Sequence, residues 1–142
     1  HIAIMKKSWG LTGKIITGEK KIESRWYKAR RAPWNKVKAG DMVYFKDSGK
    51  PVTIKAEAEK VLQFSELTPN KVKEILEQYG ADDGIEQRKF QEFFERFKDK
   101  KYCILIFLQN PRRVTPFEIN KKGFGAMASW ITTDSIEKIK LV

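Results

Sequence analysis

The spacing of apolar residues changes period along this chain, and each change predicts an element. Residues 2–5 are apolar without a break, and apolar positions then recur at Leu11, Ile15 and Ile16. This predicts a short buried strand followed by a helix over residues 9–17, with Ser8 as its N-cap and Gly18 as its left-handed end. From Lys21 the chain alternates, with Lys21, Glu23, Arg25 and Tyr27 on one face of a strand and Ile22, Ser24 and Trp26 on the other. Ala32-Pro33-Trp34 breaks the pattern, and a second strand is expected at 42–46, followed by a turn at 47–51. Residues 52–59 alternate strictly, and at Val61-Leu62 both faces become apolar, which predicts a bulge or a bend there.

After Thr68-Pro69 the period becomes 3.6, with Val72, Ile75, Leu76 and Tyr79 on one stripe and Gly80 at its end. A second stripe, Phe90, Phe93, Phe94 and Phe97, follows the Asp82-Asp83-Gly84 turn, and its helical spacing marks core packing. Residues 102–108 are apolar on both faces, as in a central strand. Pro111-Arg112-Arg113 is read as a turn, Thr115-Pro116-Phe117 as an edge segment, Trp130-Ile131-Thr132 as the last strand and 134–140 as a short terminal element. The pattern is α+β. It fits one domain over residues 1–142, with a helical insertion near 68–99 that covers the sheet.

Composition narrows the chemistry. A net charge of +11 and a pI near 9.7 favour a polyanionic partner, with RNA or a nucleotide first and DNA possible. One cysteine and one histidine leave no set for a disulfide framework, a Cys/His zinc site or a histidine triad, so no metal and no cofactor is expected. Cys103 lies within an apolar run and reads as a small buried hydrophobe. No segment has the length of a membrane span and no basic-then-apolar signal opens the chain, so a cytoplasmic protein without a membrane partner is expected. The oligomeric state is left open.

The densest chemistry lies between Gly18 and Arg25. Glu23 and Arg25 share a strand face, and Lys20 joins them if it sits in the turn before the strand. From the residues alone this is a ligand site or an ion pair. The spacing Gly-x-Lys-x-x-Glu-x-Arg, filled by Gly18, Lys20, Glu23 and Arg25, resembles the signature of the ASCH family of the PUA-like superfamily. The helix before it, the strand entry Gly40-Asp41-Met42-Val43-Tyr44-Phe45 after it and the late segment from Pro116-Phe117 to Trp130-Ile131 agree, so the resemblance covers most of the chain. It implies a PUA-like β-barrel, mostly antiparallel with flanking helices. Its central cleft would hold the lysine, glutamate and arginine and recognise RNA or a modified nucleotide.

Some ASCH proteins are instead amide hydrolases on acylated pyrimidine nucleosides, with a threonine three residues after the lysine. Glu23 stands at that position here, which removes the hydroxyl nucleophile. If the chain is such a hydrolase or a ribonuclease, Lys20 and Glu23 are the catalytic pair, the lysine acting as a base once burial lowers its pKa.

Aromatic residues interleaved with cations supply the remaining candidates, because rings stack on bases while cations hold phosphates. Trp9, Trp34 and Trp130 are read as cleft residues and Trp26 as core. The basic run Lys28, Arg30, Arg31 and Lys36 is read as a phosphate contact. Asn120 and Lys121, in a glycine-containing loop before Trp130, are read as closing the cleft.

Overall fold

The computed structural model describes residues 1–125 and 127–141. Strand β1 (Ile2–Met5) leads through a 3-10 turn (Lys7–Trp9) into helix α1 (Leu11–Thr17), then β2 (Ile22–Tyr27), β3 (Met42–Asp47) and β4 (Val52–Phe64). Helices α2 (Pro69–Tyr79) and α3 (Phe90–Phe97) follow, then β5 (Tyr102–Phe117), β6 (Trp130–Ile131) and a 3-10 turn (Ile136–Lys138). The helix expected at residue 9 starts two residues later. Ser8 falls inside the 3-10 turn, and Gly10, with φ of 64°, precedes the first helical residue.

The strands form one six-stranded sheet in the order β2-β5-β4-β3-β1-β6, antiparallel except where β1 runs parallel to β3. Irregularities in the β4–β5 ladder at Val52/Ile54, Lys55/Glu57 and Ala58/Lys60 curl the two long strands. The last of these lies just before the two-faced apolar run at Val61. The curl stops short of closure: among the described residues β2 and β6 share no ladder, and the sheet is a half-barrel with a seam.

Strand β5 runs through both prolines, contrary to the turn expected at Pro111-Arg112-Arg113. The reason lies in the ladder. Strand β2 pairs with β5 only as far as Ile22↔Phe107, and beyond that point β5 has β4 on one side alone, so a missing proline N–H need not cost a sheet bond.

Three apolar clusters order the layers. Inside the curl lie Ala3, Met5, Val43, Phe45, Ile54, Ile104 and Ile106, plugged by Leu11 and Ile15 of α1. On the outer face of β2 and β5, Ile22, Trp26, Cys103 and Leu105 are covered by Leu67, by Val72, Ile75 and Leu76 of α2, and by Phe93 of α3. The phenylalanine stripe is therefore core. Thr68 caps α2 by accepting a bond from the N–H of Lys71. Burial, with Asp83 adding to it, pushes the Cys103 thiol well above its ordinary pKa, which leaves it inert. Among the described residues no helix is long and apolar enough to cross a membrane.

The third cluster joins Ile2, Ile4, Val52, Ile119, Ile131 and Ile139. On β3, Lys46 is 6% exposed, and among the described residues its ammonium has no carboxylate within 4 Å. Burial holds its ammonium below the ordinary value despite the pull of Glu118, and Lys121 adds to the effect. Replacing an unpaired buried ammonium with a thioether of similar length removes a desolvation cost. Lys46→Met is expected to raise stability at neutral pH, read as a higher midpoint in urea denaturation. Because the native group deprotonates before the unfolded one, the gain narrows as pH rises toward 10.5. A loss of stability in this variant would show that the ammonium has a partner.

Candidate functional site

The site is assembled where α1 hands over to β2. Gly18 closes the helix at φ 84°, its N–H bonding the carbonyl of Ile15 at 3.2 Å. The N–H groups of Lys21 and Ile22 then both donate to the carbonyl of Asp82, at 2.6 and 2.9 Å, which ties the start of β2 to the turn after α2. Gly84 in that turn has φ of +83°, and a Cβ there would stand 3.2 Å from Leu11 Cδ2 and 3.3 Å from Lys20 Cβ. Its lack of a side chain lets the turn lie against the lysine stem.

Lys20 sits in the turn before the strand, the placement that lets it join Glu23. Its side chain is 1% exposed, and its Nζ donates to the carbonyls of Ile22 at 2.6 Å and Asp83 at 2.7 Å and to Asp83 Oδ1 at 2.6 Å. Glu23 Oε1 lies 3.2 Å from the same ammonium, and Glu23 Oε2 accepts from Arg25 Nη2 at 2.9 Å. Asp83 Oδ2 accepts from the Ser24 hydroxyl, whose oxygen in turn accepts from the Trp26 indole N–H at 3.0 Å. Two cations and two carboxylates thus form a chain, Arg25–Glu23–Lys20–Asp83, whose charges sum to zero.

Burial is the largest influence on Lys20 and opposes its charge, but Asp83 and Glu23 together outweigh it and hold the ammonium above its ordinary pKa. Burial also acts most strongly on Glu23, yet Lys20 and Arg25 hold its carboxyl below the ordinary range. Asp83 goes the other way. Burial, reinforced by Glu23, pushes its carboxyl up despite Lys20 and Ser24.

Arg25 spans the seam. Its Nη1 donates to the Ser129 carbonyl at 3.1 Å, and its Nη2 reaches the Ile4 carbonyl at 3.4 Å and Met5 Sδ at 3.5 Å. The guanidinium lies 5.2 Å from the centre of the Trp130 ring. A side chain of β2 therefore does what a ladder would do in a closed barrel.

A cleft of about 200 Å³ opens along this seam, walled by β2 on one side, by Ile4, Met5 and Trp9 on another, and by Phe93 and Phe97 behind. Its edge is a strand edge. The carbonyls of Lys21 and Tyr27 accept from Leu108 and Lys101 on the β5 side, which turns the main-chain groups of Ile22, Ser24 and Trp26 toward the seam. Those of Ile22 are taken by Asp82 and Lys20. Those of Ser24 and Trp26 have no partner among the described residues.

Of the residues singled out from the sequence, Lys20, Glu23, Arg25 and Trp9 line this cleft. Trp9 packs edge-on against Phe93 at 5.3 Å, with Lys6 Nζ 5.3 Å and the Arg96 guanidinium 5.1 Å from its ring. Trp26 is buried, stacked on Phe97 at 4.7 Å, with its edge on the cleft wall. Trp130, expected in the cleft, is instead a core residue, 6% exposed, its indole N–H donating to His1 Nδ1 at 3.2 Å. Trp34, Arg30 and Arg31 lie beyond the Tyr27 end of β2 and not in the cleft.

Asn120 and Lys121 do not reach the cleft either. The Asn120 N–H bonds the Ile139 carbonyl at 2.7 Å, and neither residue lines the cleft; Ser129 is the residue of that stretch that reaches it. Sequence reading missed Asp83. Its only local signal is a turn, and its partner Lys20 is 63 residues away.

The fold is that of an ASCH domain. The chain superposes on ASCH from Zymomonas mobilis with a TM-score of 0.59 at 17% identity, covering 82% of this chain and 71% of that one. A Tyr-to-Phe mutant of the Zymomonas mobilis protein gives 0.60 at 17% identity, over 82% and 73% of the two chains. Hypothetical protein PH0355 gives 0.50 at 20% identity, over 80% and 97%. No family model and no curated protein matches the sequence.

Proposed function

We propose that this chain, folded as an ASCH domain, recognises a nucleotide by taking its base into the seam cleft. The observation that carries this reading is the coincidence, in one cleft, of a partnerless strand edge and an aromatic wall. The main-chain N–H and C=O groups of Ser24 and Trp26 supply a donor and acceptor pattern of the kind a base edge satisfies, and Trp9 supplies a ring to stack on. The volume suits one planar ring system, being below the roughly 300–1,000 Å³ of sites for drug-sized ligands. Because Lys20, Glu23, Asp83 and Arg25 neutralise one another, the floor favours an uncharged base over a phosphate.

The binding reading is favoured over hydrolysis by Lys20 and Glu23. A general base at neutral pH needs a lowered lysine pKa, whereas Lys20 is held above its ordinary value, donates its protons to the Ile22 carbonyl and to Asp83, and is ion-paired with Glu23. Base–aromatic stacking contributes about 1–3 kcal/mol, so Trp9→Ala is expected to weaken nucleoside binding by roughly 5- to 150-fold in calorimetric titration, with Trp9→Phe retaining most of the affinity. Equal affinity of wild type and Trp9→Ala for all four ribonucleosides, or no binding by either, would remove the cleft as a base site.

A further inference from the structure

The neutral floor of the cleft raises the question of where the phosphates of a bound nucleotide would go. Some surface cations are paired with acids, Lys71 with Glu74, Arg88 with Glu86, Lys98 with Glu95 and Lys138 with Asp134. The cluster that follows β2 is among the cations outside such pairs, and it adjoins the cleft. Arg30 and Arg31 are exposed and have no carboxylate within 4 Å among the described residues, and Lys28 and Lys36 beside them are exposed as well.

These arginines lie on aromatic rings. Arg30 is 5.8 Å from the Trp34 ring and 5.6 Å from that of Tyr102, and the two rings meet edge-on at 5.2 Å. Arg31 is 5.4 Å from the ring of Tyr27. The loop is held in place by a reciprocal amide pair, Gln63 Oε1 accepting from the Asn35 N–H at 2.7 Å and Gln63 Nε2 donating to Asn35 Oδ1 at 2.8 Å. Tyr27 also lines the cleft, so cleft and arginines are continuous along one strand edge. From Ser24 to Tyr27 the strand advances roughly 10 Å, the rise of about three stacked nucleotides.

We infer that Arg30 and Arg31, with Tyr27, Trp34 and Tyr102, form a second subsite for the nucleotides next to the one in the cleft, so that the ligand is a single strand lying along the free edge of β2. This rests on the cleft being a base site. The arginines hold phosphates, which positions the strand without reading its sequence, and the rings accept unstacked bases.

The test compares four 5′-mononucleotides with single-stranded pentamers of the same bases, as RNA and as DNA, on wild type and on the Arg30→Gln/Arg31→Gln variant. Wild type is expected to bind pentamers at least tenfold more tightly than mononucleotides at low salt. Two phosphate contacts give a log K against log salt slope near −1.4. The variant is expected to lose that advantage and most of the slope while its mononucleotide affinity stays unchanged. Preference for RNA over DNA adds a 2′-hydroxyl contact to the subsite, and equal binding assigns it to phosphate and ring alone; both support it. Pentamers no tighter than mononucleotides, an unchanged pentamer affinity in the variant, or equally tight binding of a duplex would overturn the subsite and leave the cleft standing. Absence of mononucleotide and pentamer binding alike would remove both.

Discussion

Lys20→Met is expected to lose 3–5 kcal/mol of stability at neutral pH, the cost of leaving a buried carboxylate without its cation. At about 2–4 °C per kcal/mol for a chain of this size, the melting temperature falls by roughly 10 °C. The loss is unevenly shared. Glu23 keeps Arg25 at 2.9 Å, but Asp83 is left with the Ser24 hydroxyl alone. Burial already pushes the Asp83 carboxyl above its ordinary 3.8, and losing the opposing pull of Lys20 pushes it further up. A raised folded pKa stabilises the fold as pH falls through it, so the deficit of Lys20→Met shrinks on acidification. Adding Asp83→Asn to Lys20→Met recovers part of the loss, because both ends of the buried pair are then neutral. A variant melting at the wild-type temperature would show that the ammonium is not the centre of the network.

The wild-type pH profile carries the opposite signature. Lys20 has a raised folded pKa, so its contribution is complete below its ordinary 10.5 and disappears as pH rises through the folded value. Glu23 has a lowered one, so its contribution is complete above its ordinary 4.5 and disappears as pH falls through the folded value. The alkaline limb should be absent from Lys20→Met, which ties it to one residue.

How much of this was legible in the sequence depends on the range of each contact. Gly18, Lys20, Glu23 and Arg25 are local, and strand alternation plus a turn suffices to place them together. Thr68-Pro69 and the Phe90–Phe97 stripe are also local signals, and both elements form where the period predicts. Asp83 is not legible, because nothing at Asp82-Asp83-Gly84 distinguishes a solvated turn from a counter-ion. Closure is not legible either. A closed barrel and an open half-barrel share the same alternation, and the difference lies in the bulges along β4 and β5. The tryptophans divide for a similar reason. Trp9 and Trp130 both stand near element ends, but Trp130 belongs to the last strand and pairs with Ala3, which turns it into the core.

The open seam gives Arg25 an importance that a residue in a closed barrel would lack. Arg25→Ala is expected to cost about 3 kcal/mol, since hydrogen bonds to charged groups contribute roughly 1.5–3 kcal/mol and the cation over Trp130 adds a further 0.5–1 kcal/mol. Glu23 is not orphaned in this variant, because Lys20 stays 3.2 Å away. The loss therefore reflects release of the Ser129 and Ile4 carbonyls, and it is local before it is global. Amide exchange should accelerate at Ile4, Trp130 and Ile131 by at least tenfold relative to the centre of the β4–β5 ladder, where it stays near the wild-type rate. Arg25→Lys restores the charge but not a fork that can span two carbonyls and a carboxylate, and should fall between the two. Because the same guanidinium sets the width of the cleft, nucleoside affinity falls with seam protection across the series of Arg, Lys and Ala. Exchange at Trp130 and Ile131 unchanged in Arg25→Ala, with affinity lost, would instead make Arg25 a direct ligand contact and leave the seam held by packing alone.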